Sequence, residues 1–278
     1  MAWRSLVPFI LAACPTPTTE GSREGPTQAP RLISLSPALT DTVVALGAGA
    51  QLVGISQFCQ MPFARKLPRL GGVQDASLER IALLRPTLIL STDSKHGPAH
   101  RLQQAGLPVH TFSEGRLHAV LKGFEVLGKT LGKAEEGRRL RDKVTKQLDA
   151  LAGQSKGSQT RVLVVFSTEG QPLHTVWAAG PGGWLGDLLT HLGFANVLTR
   201  GPSYAQISVE GLLALAPDVV VEIQGNKKAS AQPMAAQWRA LGQLPAVKNK
   251  RLHRLTGEAY LRPGPRLLEL AEALASLR

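Results

Sequence analysis

Three patterns of reactive residues in this sequence could support catalysis or metal binding, and each is incomplete. His96 and His100 have the i,i+4 spacing with which a helix can hold zinc, but Gly97 and Pro98 between them disfavour a helical turn. We identify no set of Glu or Asp residues that would complete a metal site with them. Cys59 has no obvious base beside it in the sequence, which predicts a buried or semi-buried free thiol rather than a nucleophile.

A glycine-rich segment is the third pattern. Gly180-Pro-Gly-Gly183 precedes a predicted helix and could cradle an anion, although a tight turn explains the same residues. The sequence contains no Gly-x-Ser-x-Gly motif, P-loop or dinucleotide fingerprint. We therefore expect no catalytic residue, no metal and no resident cofactor, and an extracytoplasmic enzyme stays open only as a second class.

Composition restricts the functional classes further. The chain has 278 residues, of which 43% are hydrophobic and 19% are charged, as in a globular protein with one large domain or two of about 120 residues each. No apolar run reaches the roughly 18 residues of a membrane span. The formal net charge is +12, but the basic residues are scattered and form no nucleic-acid-binding pattern, so we expect no nucleic-acid partner.

The first thirty residues predict export and anchoring. Arg4, a short apolar stretch and the run Leu11-Ala12-Ala13-Cys14 form a secretory signal whose end resembles a bacterial lipobox. Residues 1–14 are therefore interpreted as a lipoprotein signal peptide, with Cys14 as the lipidated residue, and residues 15–30 as a flexible tether. An unremarkable disordered N-terminus is the alternative. The prediction is an extracytoplasmic protein of the periplasm or cell envelope that meets the membrane only through a lipid anchor.

An internal repeat predicts the architecture. SLERIALLRPTLIL at residues 77–90 and SVEGLLALAPDVVV at residues 208–221 share serine, glutamate, leucine and proline at four equivalent positions. In each copy the serine caps a helix, the glutamate lies in its first turn, the proline ends it, and an apolar run predicts a buried strand. We therefore predict two similar α/β lobes with mainly parallel sheets, at residues 31–116 and 153–278.

The elements around the repeat support this division. Further strands are predicted at residues 31–35, 52–55, 109–112, 161–166, 196–198 and 251–255, and further helices from Ser36 and from about Trp184. Between the lobes, residues 117–152 keep a helical period over about 35 residues, or ~50 Å, which predicts one long linking helix beside a cleft. Gly128 and Gly132 leave two abutting helices as the alternative.

With these elements in place, the chain resembles the class III periplasmic substrate-binding proteins of ABC importers, and within them the vitamin B12-binding branch. RLISLSPALTDTVVALGAGAQLVGIS and GGVQDASLERIALLRPTLIL carry the resemblance, which covers residues 31–278. It implies two α/β lobes joined by one long backbone helix, with the ligand held between them. It also implies a monomer that captures cobalamin or a related corrinoid and delivers it to the permease dimer of an importer.

The resemblance assigns roles to individual residues. Glu79 and Glu210, equivalent in the repeat, fit the surface glutamates that pair with permease arginines; first-turn glutamates that only stabilise helices are the alternative. The ligand-binding positions that it implies are Pro37, Phe58, Val73, Phe166, Tyr204, Glu258 and Arg262. The alternatives are core packing for the aromatic residues and a surface i,i+4 ion pair for Glu258 with Arg262.

Departures from the family pattern leave the ligand open. Val73 and Thr92 stand where B12-binding relatives carry tryptophans, which implies a roomier pocket for another corrinoid or another ligand. Residues 70–74 contain no tyrosine, histidine or methionine, so the iron of a haem has no axial ligand at the usual place. An anionic ferric siderophore is the main alternative, because Arg262, Arg266 and the Lys227-Lys228 pair could hold it.

Overall fold

The structure is a computed structural model that describes residues 30–72, 75–92, 98–153, 159–169, 173–225 and 233–277. The strands are β1 (Leu32–Ser34), β2 (Leu52–Ile55), β3 (Leu88–Thr92), β4 (Val109–Phe112), β5 (Arg161–Glu169), β6 (Thr175–Ala179), β7 (Ala195–Asn196), β8 (Tyr204–Ser208), β9 (Val219–Gln224) and β10 (Leu252–Thr256). The α-helices are α1 (Pro37–Ala45), α2 (Leu78–Leu83), α3 (Pro98–Gln104), α4 (Leu117–Thr130), α5 (Ala134–Gly153), α6 (Trp184–His191), α7 (Val209–Leu215), α8 (Met234–Trp238), α9 (Pro245–Lys248) and α10 (Leu267–Ala275). Within the described ranges, no helix combines the length and the apolar character that crossing a bilayer requires.

The N-terminal lobe is built on a fully parallel four-stranded sheet. Its strand order is β2-β1-β3-β4, and the inner strands are buried because helices cover both faces. Ser36 caps α1 by accepting a hydrogen bond from the Leu39 amide at 3.5 Å, and Pro37 occupies the first helical turn, where its missing N–H is harmless. The strand-to-helix transition predicted from the sequence is thus confirmed.

The C-terminal lobe has a mixed sheet. Strands β10, β9 and β5 are parallel, whereas β6 and β8 continue the sheet in antiparallel pairing. β7 pairs with β5 beside this path. The prediction of mainly parallel sheets in two α/β lobes is confirmed, but the antiparallel strands β6 and β8 were not predicted.

The segment between the lobes is a pair of helices. The prediction of a single linking helix of ~50 Å was therefore wrong. α4 ends at Thr130 and α5 begins at Ala134, with Gly132 in the left-handed region at φ +69. The helices fold back on each other at two glycines: a Cβ built on Gly128 would lie 2.8 Å from the Gly137 Cα. The absence of side chains there permits the close backbone approach that makes this link a hairpin.

The repeat is confirmed as α2–β3 and α7–β9, and the structure adds a pair of equivalent arginines. Before β1, Arg31 donates to the Leu84 carbonyl at the end of α2, with Nε and Nη2 at 3.0 and 2.8 Å. At the first position of β5, Arg161 Nη2 donates at 2.6 Å to the Leu215 carbonyl at the end of α7. Each arginine satisfies a carbonyl that the helix end leaves without an intrahelical partner, and ties the first strand of its lobe to the repeat helix.

Backbone conformation repeats as well. Arg85 and Ala216, which precede the prolines that follow the two repeat helices, have φ values of +43 and +42. This left-handed conformation is unusual for residues with a side chain. The two copies therefore share a backbone turn that their different side chains do not reveal.

Candidate functional site

A cavity of about 690 Å³ opens between the two lobes. The N-terminal lobe contributes the segment after β2, and the C-terminal lobe contributes the ends of β9 and β10 with the loop at residues 257–266, which we name the bridging loop. The lining residues are Gln60, Met61, Pro62, Gly225, Thr256, Gly257, Glu258, Ala259, Tyr260, Arg262, Arg266 and Glu269. This volume lies in the range of small-molecule sites.

Arg262 joins the lobes at the base of this cavity. Its side chain is buried, and Nη2 donates to the Phe58 carbonyl of the other lobe at 3.1 Å. Nη1 lies 3.7 Å from Asp41 on α1, and Nη2 lies 3.6 Å from Glu258. The ion pair of Glu258 with Arg262 therefore exists, but it is part of an interlobe bridge and not an isolated surface pair.

Asp41 is the buried counter-charge of this bridge and was not identified from the sequence. It is 4% exposed, and among the described residues neither carboxylate oxygen has a hydrogen-bond partner. Burial raises the pKa of Asp41, because the charged form loses water; the guanidinium groups of Arg262 and Arg266 oppose this rise. The signal was available in PALTDTVVA, where one acidic residue stands in a helix with a largely apolar sequence.

Aromatic rings lie on both sides of the interlobe boundary. Phe58 is 56% exposed and Tyr204 is 55% exposed. The Phe58 ring rests on the Gly72 backbone, since a Cβ there would come within 2.5 Å of the ring. Tyr204 meets Phe166 edge to face, with ring centroids 5.2 Å apart, while Phe166 also packs on the core of the C-terminal lobe. Plain core packing therefore describes neither Phe58 nor Tyr204.

Glu114, after β4, is a second acidic residue that the sequence reasoning missed. Its carboxylate accepts a hydrogen bond from Ser36 Oγ at 3.0 Å. Burial raises the pKa of Tyr204 in the other lobe, and the charge of Glu114 adds to this rise. Burial raises the pKa of Glu114 to about 7, and the Ser36 hydrogen bond only partly opposes this rise. No sequence pattern distinguishes Glu114 from an ordinary loop glutamate.

The other residues considered for the ligand site lie at strand and helix ends or outside the described residues. Pro37 begins α1 next to Ser36 and is half-buried. Thr92 ends β3 and is also half-buried. Val73 lies outside the described residues, and so do Cys14 and the Lys227-Lys228 pair.

Glu79 and Glu210 are both exposed in the first turns of α2 and α7. Ser77 and Ser208 cap these helices by accepting hydrogen bonds from the amides of Arg80 and Gly211. The pKa of Glu210 is lowered by a hydrogen bond to its own backbone and by Ser208. Both glutamates thus stabilise helix starts and remain accessible to a partner.

The structure also places two of the reactive patterns seen in the sequence, Cys59 and the glycine-rich segment that begins at Gly180. Cys59 is a buried free thiol whose Sγ lies 3.2 Å from Thr40 Oγ1; burial raises the pKa of this thiol. In the glycine-rich segment, residues 181 and 182 form a turn before α6, and the backbone of Gly180 packs closely against the Pro202 carbonyl. In the part of the chain that the structure describes, no three histidine, cysteine or acidic side chains cluster as metal ligands would.

Comparison with known proteins agrees with this geometry. The sequence profile of the periplasmic binding protein family matches residues 32–259. A vitamin B12-binding protein of Vibrio campbellii is 28% identical over 249 residues, which span 88% of this chain and 86% of that protein.

Solved structures match over similar lengths. The periplasmic vitamin B12-binding protein BtuF of Vibrio cholerae superposes with a TM-score of 0.75 at 25% identity, over 89% of this chain and 95% of that one. A periplasmic heme-binding protein of Pseudomonas aeruginosa superposes with a TM-score of 0.74 at 29% identity, over 88% of this chain and 91% of that one.

Proposed function

Because the chain belongs to the periplasmic binding protein family, we propose that it is the substrate-binding lipoprotein of an ABC importer and that its ligand is cobalamin or a related corrinoid. It holds the ligand between its lobes and delivers it unchanged to a permease dimer. It acts as a monomer, and the acylated Cys14 keeps it at the membrane surface.

The observation that carries the ligand assignment is the pair of exposed aromatic rings at the interlobe boundary. Phe58 and Tyr204 come from different lobes and are each more than half exposed. Exposed aromatic faces suit a flat macrocycle, because they supply contact area with little loss of side-chain entropy. The vitamin B12-binding proteins of two Vibrio species are similar in sequence or structure, which supports the same class of ligand.

The charges of the site favour an uncharged, amide-rimmed ligand over an anionic siderophore. Arg262 is engaged by Asp41, Glu258 and a backbone carbonyl. Arg266 pairs with Glu269 at 2.6 Å. Although the whole chain carries +12, these arginines already have acidic partners, and an anionic chelate would have to displace them.

The test is ligand retention by residues 31–278. The protein is mixed in turn with cobalamin, cobinamide, haem and a ferric siderophore, desalted, and its visible spectrum recorded. We expect a corrin band at one ligand per chain. A protein fraction that keeps only the band of the siderophore or of haem contradicts the corrinoid assignment while leaving the receptor role intact.

Site variants locate the bound ligand. Phe58→Ala and Tyr204→Ala should each weaken corrinoid binding about tenfold, since each removes one aromatic contact face. Neither Phe58 nor Tyr204 is among the residues that line the cavity, so the variants also test whether the ligand extends to these rings. Leu83→Ala is the matched control, because Leu83 is 76% exposed at the end of α2, next to the Leu84 carbonyl that Arg31 holds at the amino end of β1. Equal affinities for all three variants would place the ligand elsewhere.

A further inference from the structure

The loop that follows β2 directs its backbone carbonyls to arginine side chains. Backbone carbonyls that leave a strand need new hydrogen-bond partners. In residues 56–59, which we name the carbonyl loop, Arg69 supplies most of them. Its Nη1 donates to the carbonyls of Gln57 and Ser56, at 3.1 and 3.5 Å, and to the carbonyl of Cys59.

Arg69 is itself fixed beside β2. Its backbone pairs with Ile55 in an isolated parallel bridge, in which the Ile55 amide donates to the Pro68 carbonyl and the Leu70 amide donates to the Ile55 carbonyl, both at 3.0 Å. The residue is half-buried. In the described part of the chain, the hydrogen bonds of its side chain all go to the carbonyl loop, so this arginine has the loop as its partner.

The remaining carbonyl of the loop is bound from the other lobe. Arg262, which lines the cavity, donates from Nη2 to the Phe58 carbonyl at 3.1 Å. The loop continues into Gln60 and Met61, which line the same cavity from the N-terminal lobe. Met61 also packs on the core of that lobe, whereas Gln60 is exposed. One arginine from each lobe therefore fixes the backbone that leads into this wall of the cavity.

The Phe58 ring is supported by the same set of contacts. The ring rests on the Gly72 backbone, and the Gly72 amide donates to Asp75 Oδ1 at 2.6 Å. The other carboxylate oxygen, Asp75 Oδ2, accepts from Gln57 Nε2 at 3.3 Å. Asp75 thus links the carbonyl loop to the surface on which the ring lies, and both are ordered without a ligand.

Resting on the corrinoid function proposed above, we propose that Arg69 is a positioning residue of the ligand site, which fixes the Phe58 and Gln60 side chains at the cavity without touching the ligand. Arg69 is not among the lining residues. A loop that is ordered before binding loses less conformational entropy when the ligand arrives, so the arginine–carbonyl contacts contribute to affinity indirectly. Releasing the loop should weaken binding although every side chain that meets the ligand is still present.

The experiment is a mutant cycle on the dissociation constant of cyanocobalamin. Arg69→Met is measured in the wild type and in the background Phe58→Ala/Gln60→Ala. In the wild type we expect it to weaken binding about tenfold. In the background variant the loss should fall below about threefold, because the side chains that Arg69 positions are then absent.

Arg31→Met is the matched control. Arg31 also donates to a backbone carbonyl of the same lobe, that of Leu84, but at the amino end of β1. A merely structural role would lower the unfolding free energy in both arginine variants and leave affinity unchanged in the folded protein. We expect the affinity of Arg31→Met to stay within about twofold of the wild type.

The outcomes separate this inference from the corrinoid function. Unchanged affinity in Arg69→Met, equal losses in the two arginine variants, or a loss that is the same in both backgrounds overturns the positioning role and leaves the corrinoid function standing. Absence of cyanocobalamin binding by the wild type overturns both. If Arg69→Met does not fold, Arg69→Lys, which keeps the charge on a shorter side chain, enters the same cycle, and wild-type affinity or an equal loss in both backgrounds again overturns the inference.

Discussion

Replacing Arg262 by methionine should destabilise the protein more than removing an arginine from a surface ion pair. The side chain is buried, and its loss leaves Asp41 without the cation at 3.7 Å that opposes its desolvation. Removing one member of a buried ion pair typically costs 3–5 kcal/mol, because the remaining charge is uncompensated. Because the ion-pair distances of 3.6 and 3.7 Å are long, we expect the lower end of that range.

The expected loss for Arg262→Met is therefore about 3 kcal/mol of unfolding free energy at pH 7. For a chain of this size it corresponds to a fall in Tm of roughly 6–12 °C. The assay is urea unfolding with thermal unfolding alongside. Arg138→Met is the matched control, because Arg138 is exposed and its i,i+3 pair with Glu135 is a surface pair, whose loss should change the unfolding free energy far less.

The pH dependence tests the cause. A carboxyl group whose pKa is raised on folding costs no stability when protonated in both states, and its cost grows as the pH rises from the unfolded to the folded pKa. Arg262 opposes the rise of the Asp41 pKa, so its removal enlarges that cost. The deficit of Arg262→Met against the wild type should accordingly be larger at pH 7 than at pH 4, and Asp41→Asn in the same chain should recover much of it. A double variant no more stable than Arg262→Met at pH 7 would refute the assignment of Asp41 as the buried counter-charge.

Two further predictions concern the partner surface and the helical link. Glu79→Ala with Glu210→Ala should abolish ligand transport into cells or vesicles carrying the importer while leaving ligand affinity unchanged, because both side chains are exposed and lie outside the cavity lining. Gly128→Ala should lower unfolding free energy by about 1–3 kcal/mol in a denaturant titration, because its Cβ would lie 2.8 Å from the Gly137 Cα.

Each of these two predictions has an outcome that would contradict it. Loss of binding in the glutamate double variant would move these residues into the ligand site and exclude the docking role. For the hairpin, Gly153→Ala is the control, because a Cβ there meets nothing within 4 Å. Similar stabilities for the two glycine variants would mean that the close approach of α4 and α5 is not required.

The lobes were predictable from the sequence because the repeat contains helix caps, a helix-ending proline and a buried strand in fixed order. Ser77 and Ser208 cap helices as expected, and these local interactions require no knowledge of distant contacts. The turn between α4 and α5 was harder to predict, because Gly132 breaks a helical period that its neighbours continue. Gly128 stays inside α4 and packs against Gly137 on the returning helix, whereas a Cβ built on Gly132 meets nothing within 4 Å. The sequence alone does not show which of the two glycines ends the helix.

The candidate site was predictable only in part. The resemblance pointed to Phe58, Tyr204, Glu258 and Arg262, and the structure shows where they lie without testing their contact with a ligand. Sequence reasoning gave Arg262 to the ligand, whereas much of its guanidinium is engaged by Asp41, 221 positions earlier in the chain. A pairing across such a separation leaves no local pattern, so it became visible only when the lobes were brought together.

One arginine in each lobe ties the first strand to the repeat helix. Both arginines lie at the amino ends of their strands, away from the candidate ligand site. Arg31, just before β1, and Arg161, the first residue of β5, perform the same task. The carboxyl ends of these strands differ, because β1 is followed by Ser36, the cap of α1, whereas β5 continues to Glu169 and pairs with β6. The amino ends of the strands therefore have the same arginine contact in both lobes, whereas the carboxyl ends differ between the two lobes. Such a division makes the protein a suitable scaffold for binding other molecules. Residues at the ligand-facing ends of the strands can be exchanged, while the arginine contacts at the amino ends preserve the fold of each lobe for use in a transporter or a sensor.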